Sequence, residues 1–240
     1  MQVVTLSLFR FGSARARIWA LGQMGAARLS FMVMRDVGFW KLCGSGTGEG
    51  FTPIPNTAVW AILATWPDAE TARKHVEEAP VYQRWRRRAK EDWTVYLTPT
   101  SARGSWSGTA PFETDRSVSN TVQNGPIAAL TRATIKPSIL LKFWRRVPDI
   151  QNVIGDDPNV AFKIGIGEMP WLHQVTFSIW PDAASMAAFA RAEGPHARAI
   201  RAVRDEDWFR EELYARFAIA GDSGLWGGVS PLAKLERTAA

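Results

Sequence analysis

The chain has 240 residues, 46% of them hydrophobic and 22% charged, and carries a net charge of +6. That balance excludes a disordered or fibrous chain, leaves a globular protein of one or two domains, and favours anionic partners. A single cysteine, Cys43, rules out an internal disulfide and points to a reducing compartment.

The first ten residues lack the basic start and long apolar stretch of a signal peptide, and no apolar run approaches a membrane span. A cytoplasmic protein is expected, soluble or peripheral to a membrane. Residues 3–11 are β-rich and predict a strand. Ser13 is placed to cap a helix over 14–24, and 39–43 is a short apolar run ending in a glycine-rich loop. Residues 59–66 are almost continuously apolar, which predicts a strand covered on both faces. Pro67 breaks that strand. Asp68 can then cap a helix from Ala69 that is interrupted near Pro80 and continues through Arg84-Trp85-Arg86-Arg87-Arg88. A strand over 93–98 follows, and 99–126, rich in Ser, Thr, Gly, Pro and Asn, predict a linker.

The same order then returns: a strand over 127–134, a helix over 138–146, and strands over 160–165 and 174–180. Helices over 184–192 and 196–204 are split at Gly194-Pro195, a strand lies near 214–220, and 229–240 form a frayed tail. The likeness extends to motifs. Trp66-Pro67-Asp68-Ala69 returns 114 positions later as Trp180-Pro181-Asp182-Ala183, and Glu91-Asp92-Trp93 returns 115 positions later as Glu206-Asp207-Trp208. A period that long is the size of a small domain. The predicted fold is therefore α+β: two fused ferredoxin-like (β-α-β-β-α-β) modules, 1–98 and 127–228, forming an internal dimeric α/β barrel. Facing strands in such a barrel leave a cavity for a flat ligand, and fused copies tend to place it where the halves meet.

Gly44-Ser45-Gly46-Thr47-Gly48-Glu49-Gly50 has neither Gly-Lys-Ser/Thr nor Gly-x-Gly-x-x-Gly spacing, so it predicts a β-β loop, with a lid over a cavity as the sharper alternative. Zinc-hydrolase and serine-triad patterns are missing, as are nucleic-acid-binding motifs, so nucleic acid is not an expected partner. Of the three histidines, His75 sits among charged residues on an exposed helix face. His173 lies in an apolar strand, where a hydrogen-bonded core role competes with a cavity-facing one. His196 follows a helix break where the first copy has Val81, so it is the candidate metal or haem ligand, a surface or capping histidine being the alternative. His173 and Cys43 are the alternative metal ligands, Cys43 against a plain role as a buried small hydrophobe. Arg132 and Lys163 place cations inside apolar strands and must be paired, by haem propionates or by an internal Asp or Glu. The arginine cluster is a solvated helix face or a docking patch for an acidic electron carrier or a lipid surface. The 12 tryptophans fill cores, or face large flat apolar ligands or a membrane interface.

Val4-Thr5-Leu6-Ser7, Phe39-Trp40-Lys41, Ala129-Leu130-Thr131-Arg132-Ala133-Thr134, Gln174-Val175-Thr176-Phe177-Ser178-Ile179-Trp180-Pro181-Asp182 and Gly194-Pro195-His196 resemble the spheroidene monooxygenase family. The glycine-rich loop and residues 208–217 carry the same likeness, which runs from about residue 3 to about residue 227. These are the acyclic carotenoid 2-ketolases. The resemblance implies a haem b oxygenase that uses O₂ and reduced ferredoxin to convert spheroidene-like acyclic carotenoids to C-2 ketones. It also implies access to a membrane-dissolved substrate, hence a peripheral site on the cytoplasmic membrane face, as a monomer or homo-oligomer. A different haem enzyme on the same scaffold (a dehydratase or peroxidase) and a non-catalytic apolar-ligand-binding barrel are the alternatives.

Overall fold

The computed structural model describes residues 1–48, 50, 52–114, 125–145, 160–191, 207–233 and 235. The first half runs β1 (Val3–Arg10), α1 (Ala14–Met32), β2 (Trp40–Gly46), β3 (Pro55–Trp66), α2 (Ala69–Glu78), α3 (Pro80–Arg86) and β4 (Glu91–Gly104). The second runs β5 (Ile127–Ile135), a 3₁₀ turn (Pro137–Ile139) leading into helical residues 140–145, β6 (Phe162–Gly167), β7 (His173–Trp180), α4 (Ala183–Arg191) and β8 (Phe209–Gly224). Each half has the expected β-α-β-β-α-β order.

Local chemistry sets the boundaries. Ser13 caps α1 by accepting the Ala16 amide at 3.2 Å, and Asp68 caps α2 by accepting the Thr71 amide at 2.8 Å. α1 continues past Gly22 and Gly25 to Met32, eight residues beyond the expected end, because Ala20, Ala27 and Phe31 bury one face of it against the sheet. Packing outweighs the cost of two glycines there. β4 likewise continues through 99–104, because β8 pairs with it from Trp93↔Gly224 to Gly104↔Leu213.

The strands close into one antiparallel barrel in the order β1-β3-β2-β6-β7-β5-β8-β4. The halves are joined unequally. The β4–β8 ladder is long, while β2 and β6 share only Gly44↔Gly167 and Ser45↔Ile166. Alternate residues such as Leu6, Leu63, Val95, Leu130, Phe177 and Phe217 fill the barrel. The central cavity expected between facing strands is therefore closed by side chains. A space of about 730 Å³ lies at one end, lined by Arg10, Val59, Phe162, Lys163, Ile164 and Trp226.

Seven tryptophans (Trp60, Trp66, Trp85, Trp93, Trp106, Trp180 and Trp208) are buried, so most do fill cores. The arginine cluster is largely used within the fold. Arg84 donates to Ser30, Arg86 pairs with Asp92 at 3.1 Å, and Arg88 lies over Trp19 at 4.6 Å. His75 stacks on Trp66 and pairs with Asp36 at 3.1 Å.

Candidate functional site

Two places combine chemistry with a break in the repeat. The first is the barrel end closed by Trp106. Arg132 is the inward residue after Ala128 and Leu130 on β5, and its side chain is 1% exposed. It donates to Glu211, lies 3.8 Å from Glu168, and faces the Trp106 ring at 5.7 Å. Glu168 also receives Lys41 at 2.7 Å and the Trp106 indole at 2.8 Å, with His173 Nδ1 at 3.3 Å. Glu211 accepts from Ser105 at 3.0 Å and the Gly108 amide at 2.7 Å. Burial opposes ionisation of Glu168. The contacts from His173, Lys41 and Trp106 outweigh it and hold the carboxyl at about 2. For Glu211 burial again opposes, and Gly108, Ser105 and Arg132 bring it to about 2.

The opposite end is a simpler copy. Trp226 and Val229 close a turn as Trp106 and Thr109 do. Glu91 accepts the Gly228 amide at 2.8 Å, and Arg10 pairs with Glu91 while covering Trp226 at 4.4 Å. Glu91, Trp106 and Gly108 each recur 120 positions later as Glu211, Trp226 and Gly228. The arginines do not match in register: Arg10 pairs across the ladder with Glu91, whereas Glu211 pairs with Thr134. Arg132 is thus one inward position deeper, about 7 Å along the strand. His173 and Lys41 have no polar counterparts. His173 corresponds to Val59 by the 114-residue offset, and Lys41 pairs with Leu63 where Ile164 pairs with the corresponding Phe177.

The second place is the outer face of the second half's sheet. In the first half a continuous apolar layer of Trp60, Ile62, Trp66 and Tyr96 packs under α1, α2 and α3. Trp60, Ile62 and Ala64 correspond, 114 residues on, to Gln174, Thr176 and Ser178. Their ladder neighbours on β5 are Ala133, Thr131 and Ala129, and Gly165 lies beside Thr176 on β6. Among the described residues two separate apolar clusters bound this patch, Ile135-Phe143-Trp208 at one end and Ile127-Trp180-Met186 at the other. Between them Thr131 is exposed although it lies mid-sheet. Ala129 to Ala133 spans about 14 Å and β6 to β5 about 10 Å, so the floor is flat, small-sided and suited to a planar ligand.

The predicted residues fall as follows. His196 lies outside the described residues. Arg132 faces the barrel interior and meets carboxylates of the chain itself. Lys163 points outward beside Ser178, at the edge of the flat patch. His173 and Cys43 join Arg132 at the Trp106 end. Burial drives the Cys43 thiol well above its usual range, with the Glu168 charge adding to that, so a thiolate is disfavoured. Among the described residues no three His, Cys, Asp or Glu are grouped to hold a metal ion. Glu168, Glu211, Lys41 and Trp106 were missed as a unit. The legible signal was inward parity: a buried arginine needs a carboxylate at an inward position nearby, and Glu211 shares parity with Leu213 and Phe217.

No family model matches the chain. Spheroidene monooxygenase of Cereibacter sphaeroides is 56% identical over 233 residues, 97% of this chain and 71% of that protein. The Rhodobacter capsulatus enzyme of the same name is 51% identical across the whole of both chains, and that of Rubrivivax gelatinosus 35% identical over 89% of this chain and 80% of its own. Among solved structures an aldoxime dehydratase superposes with a TM-score of 0.61 at 12% identity, covering 91% of this chain and 81% of that one, a likeness of fold. The chain is an oxidoreductase and belongs to the spheroidene monooxygenase family.

Proposed function

We propose that the chain is a haem-dependent carotenoid monooxygenase that uses O₂ and reduced ferredoxin to place a keto group at C-2 of spheroidene-like acyclic carotenoids. The observation that carries this is identity above one half, over nearly the full chain, to two proteins named spheroidene monooxygenase. The sheet face described above would hold the haem. A planar apolar group needs a flat floor without bulky side chains, and this is the face where the repeat replaces Trp60 and Ile62 with Gln174 and Thr176. Thr131, Thr176, Ala129 and Ala133 would form the floor, Lys163 would meet an anionic edge such as a propionate, and His196 would hold the iron. When bound, haem supplies O₂ activation.

The chain's own residues supply the rest. The Trp208 and Trp180 clusters wall the patch with apolar surface that excludes water and aligns an apolar chain end. Two hydroxylations at one carbon, each consuming one O₂, two electrons and two protons and releasing one water, give a geminal diol that dehydrates to the ketone. The buried Trp106-end network holds the sheet from behind. A protein working on a bilayer-dissolved substrate is peripheral to the cytoplasmic membrane face.

The test is pigment analysis of cells that accumulate acyclic carotenoids and express the chain, with and without O₂. A red-shifted ketocarotenoid formed only with O₂ is expected. The purified protein is expected to show a Soret band, and His196→Ala should abolish it. A colourless protein that still makes the ketone would remove the haem reading.

A further inference from the structure

Helix α1 has two apolar faces. Ala20, Ala27 and Phe31 pack on the sheet, while Ile18, Leu21, Leu29, Met32 and the capping Val33 are between 57% and 80% exposed on the opposite side. At 3.6 residues per turn those five, with Gly22 and Gly25, fall within an arc of about 120°. An isolated exposed leucine needs no explanation, but a continuous stripe along a 19-residue helix does. Arg15 and Arg28 flank the stripe, Arg35 follows it, and residues 13–35 contain no acidic side chain.

The stripe leads into a cleft. Leu21 and Met24 line an opening of about 370 Å³ that crosses the thin β2–β6 seam, with Pro53 and Trp60 on one side and Met169, Trp171 and Gln174 on the other. Trp171 is 52% exposed, takes a positive φ of 67°, and is held there by donating to the Pro53 carbonyl at 2.7 Å. A non-glycine residue fixed in that conformation with its ring in solvent carries a cost that the fold maintains. Gln174, at the cleft's inner end, belongs to the flat patch.

We infer that the outer face of α1 docks on an anionic bilayer surface and that the cleft between α1 and the Met169–Trp171 turn is the lateral portal by which an apolar chain leaves the bilayer for the sheet face. Arginines flanking an apolar stripe are complementary to anionic headgroups over acyl chains. The portal part rests on the carotenoid reading above; the docking part does not.

Flotation of the full chain with phosphatidylcholine vesicles, with and without phosphatidylglycerol, tests the docking. Binding is expected with the anionic vesicles and should weaken about tenfold or more in Leu29→Glu/Met32→Glu/Val33→Glu and in Arg15→Glu/Arg28→Glu. Cys43 is buried, so a Leu29→Cys protein takes an environment-sensitive dye at one position, whose emission should blue-shift on vesicle addition. Undiminished binding by both variants overturns the proposal. So does a dimer dissociated by the glutamates with vesicle binding unchanged, which would show that a second copy covers the stripe. For the portal, the glutamate variant should turn over detergent-dispersed carotenoid like the parent and lose turnover of vesicle-held carotenoid; equal turnover of both overturns it. If the parent itself makes no ketone in either medium, the functional reading fails while flotation and dye still decide the docking.

Discussion

Arg132→Met is expected to cost about 3–5 kcal/mol of stability, the range for removing one member of a buried charge network. In a chain of this size that corresponds to a fall of roughly 10 °C or more in Tm, read by thermal circular dichroism. The cause is lost pairing of desolvated charge: without the guanidinium, Glu211 keeps only Ser105 and the Gly108 amide as donors, and the half-buried Glu168 loses a counter-charge 3.8 Å away. Arg132→Met combined with Glu211→Gln should recover much of the loss, because the stranded charge is removed too. At the opposite end Arg10→Met should cost under about 1 kcal/mol, since Arg10 is 40% exposed and its pair is screened by water. Equal losses at the two ends would refute this account.

The same network sets an acid limit. Glu168 sits at about 2 in the folded chain against an ordinary 4.5. A depressed carboxyl contributes stability that is present above about 4.5 and disappears as pH falls towards 2, because the unfolded state takes up the proton first. The size is about 3 kcal/mol at most for this group, and Glu211 acts with the same sign. Tm measured from pH 6 down to pH 3 should fall steadily in the parent and less steeply in Glu168→Gln. Parallel curves would exclude Glu168 as the titrating group.

Under the proposed haem function, Thr131→Trp is expected to prevent haem loading while leaving the fold intact. The side chain is exposed and centred on the flat patch, so an indole there occupies the space of a planar ligand without displacing a core residue. The expected result is at least a tenfold drop in Soret absorbance per mole of protein, with Tm within about 2 °C of the parent. Thr131→Ser should load normally. A Thr131→Trp protein with full haem content would place the haem elsewhere.

Much of the fold was legible because it rests on local signals. Ser13 and Asp68 cap helices, Pro80 splits one, and the unbroken apolar run of β3 marks a strand covered on both sides. The duplicated Trp-Pro-Asp-Ala motif revealed the twofold plan. Burial of an α1 face beyond Gly25 and the pairing that draws 99–104 into β4 were not legible, since both depend on partners distant in sequence. The candidate site was half legible for the same reason. Arg132 drew attention as a cation in an apolar strand, but its carboxylates, Glu168 just past β6 and Glu211 on β8, are brought to it only by the closed barrel. The flat patch is written as small residues at Thr131, Thr176 and Ser178, which stand out only when laid against their first-half counterparts.

The one-position offset of Arg132 relative to Arg10 has an evolutionary corollary. In a dimer of identical subunits every substitution is made twice, so a deeply sunk arginine at one mouth of the barrel imposes its desolvation on the other as well. Fusion of the two copies lifts that obligation. One half could keep Trp60 and Ile62 packed under its helices, while the other could carry Gln174 and Thr176 at the matching positions and still keep Trp180 where the first has Trp66.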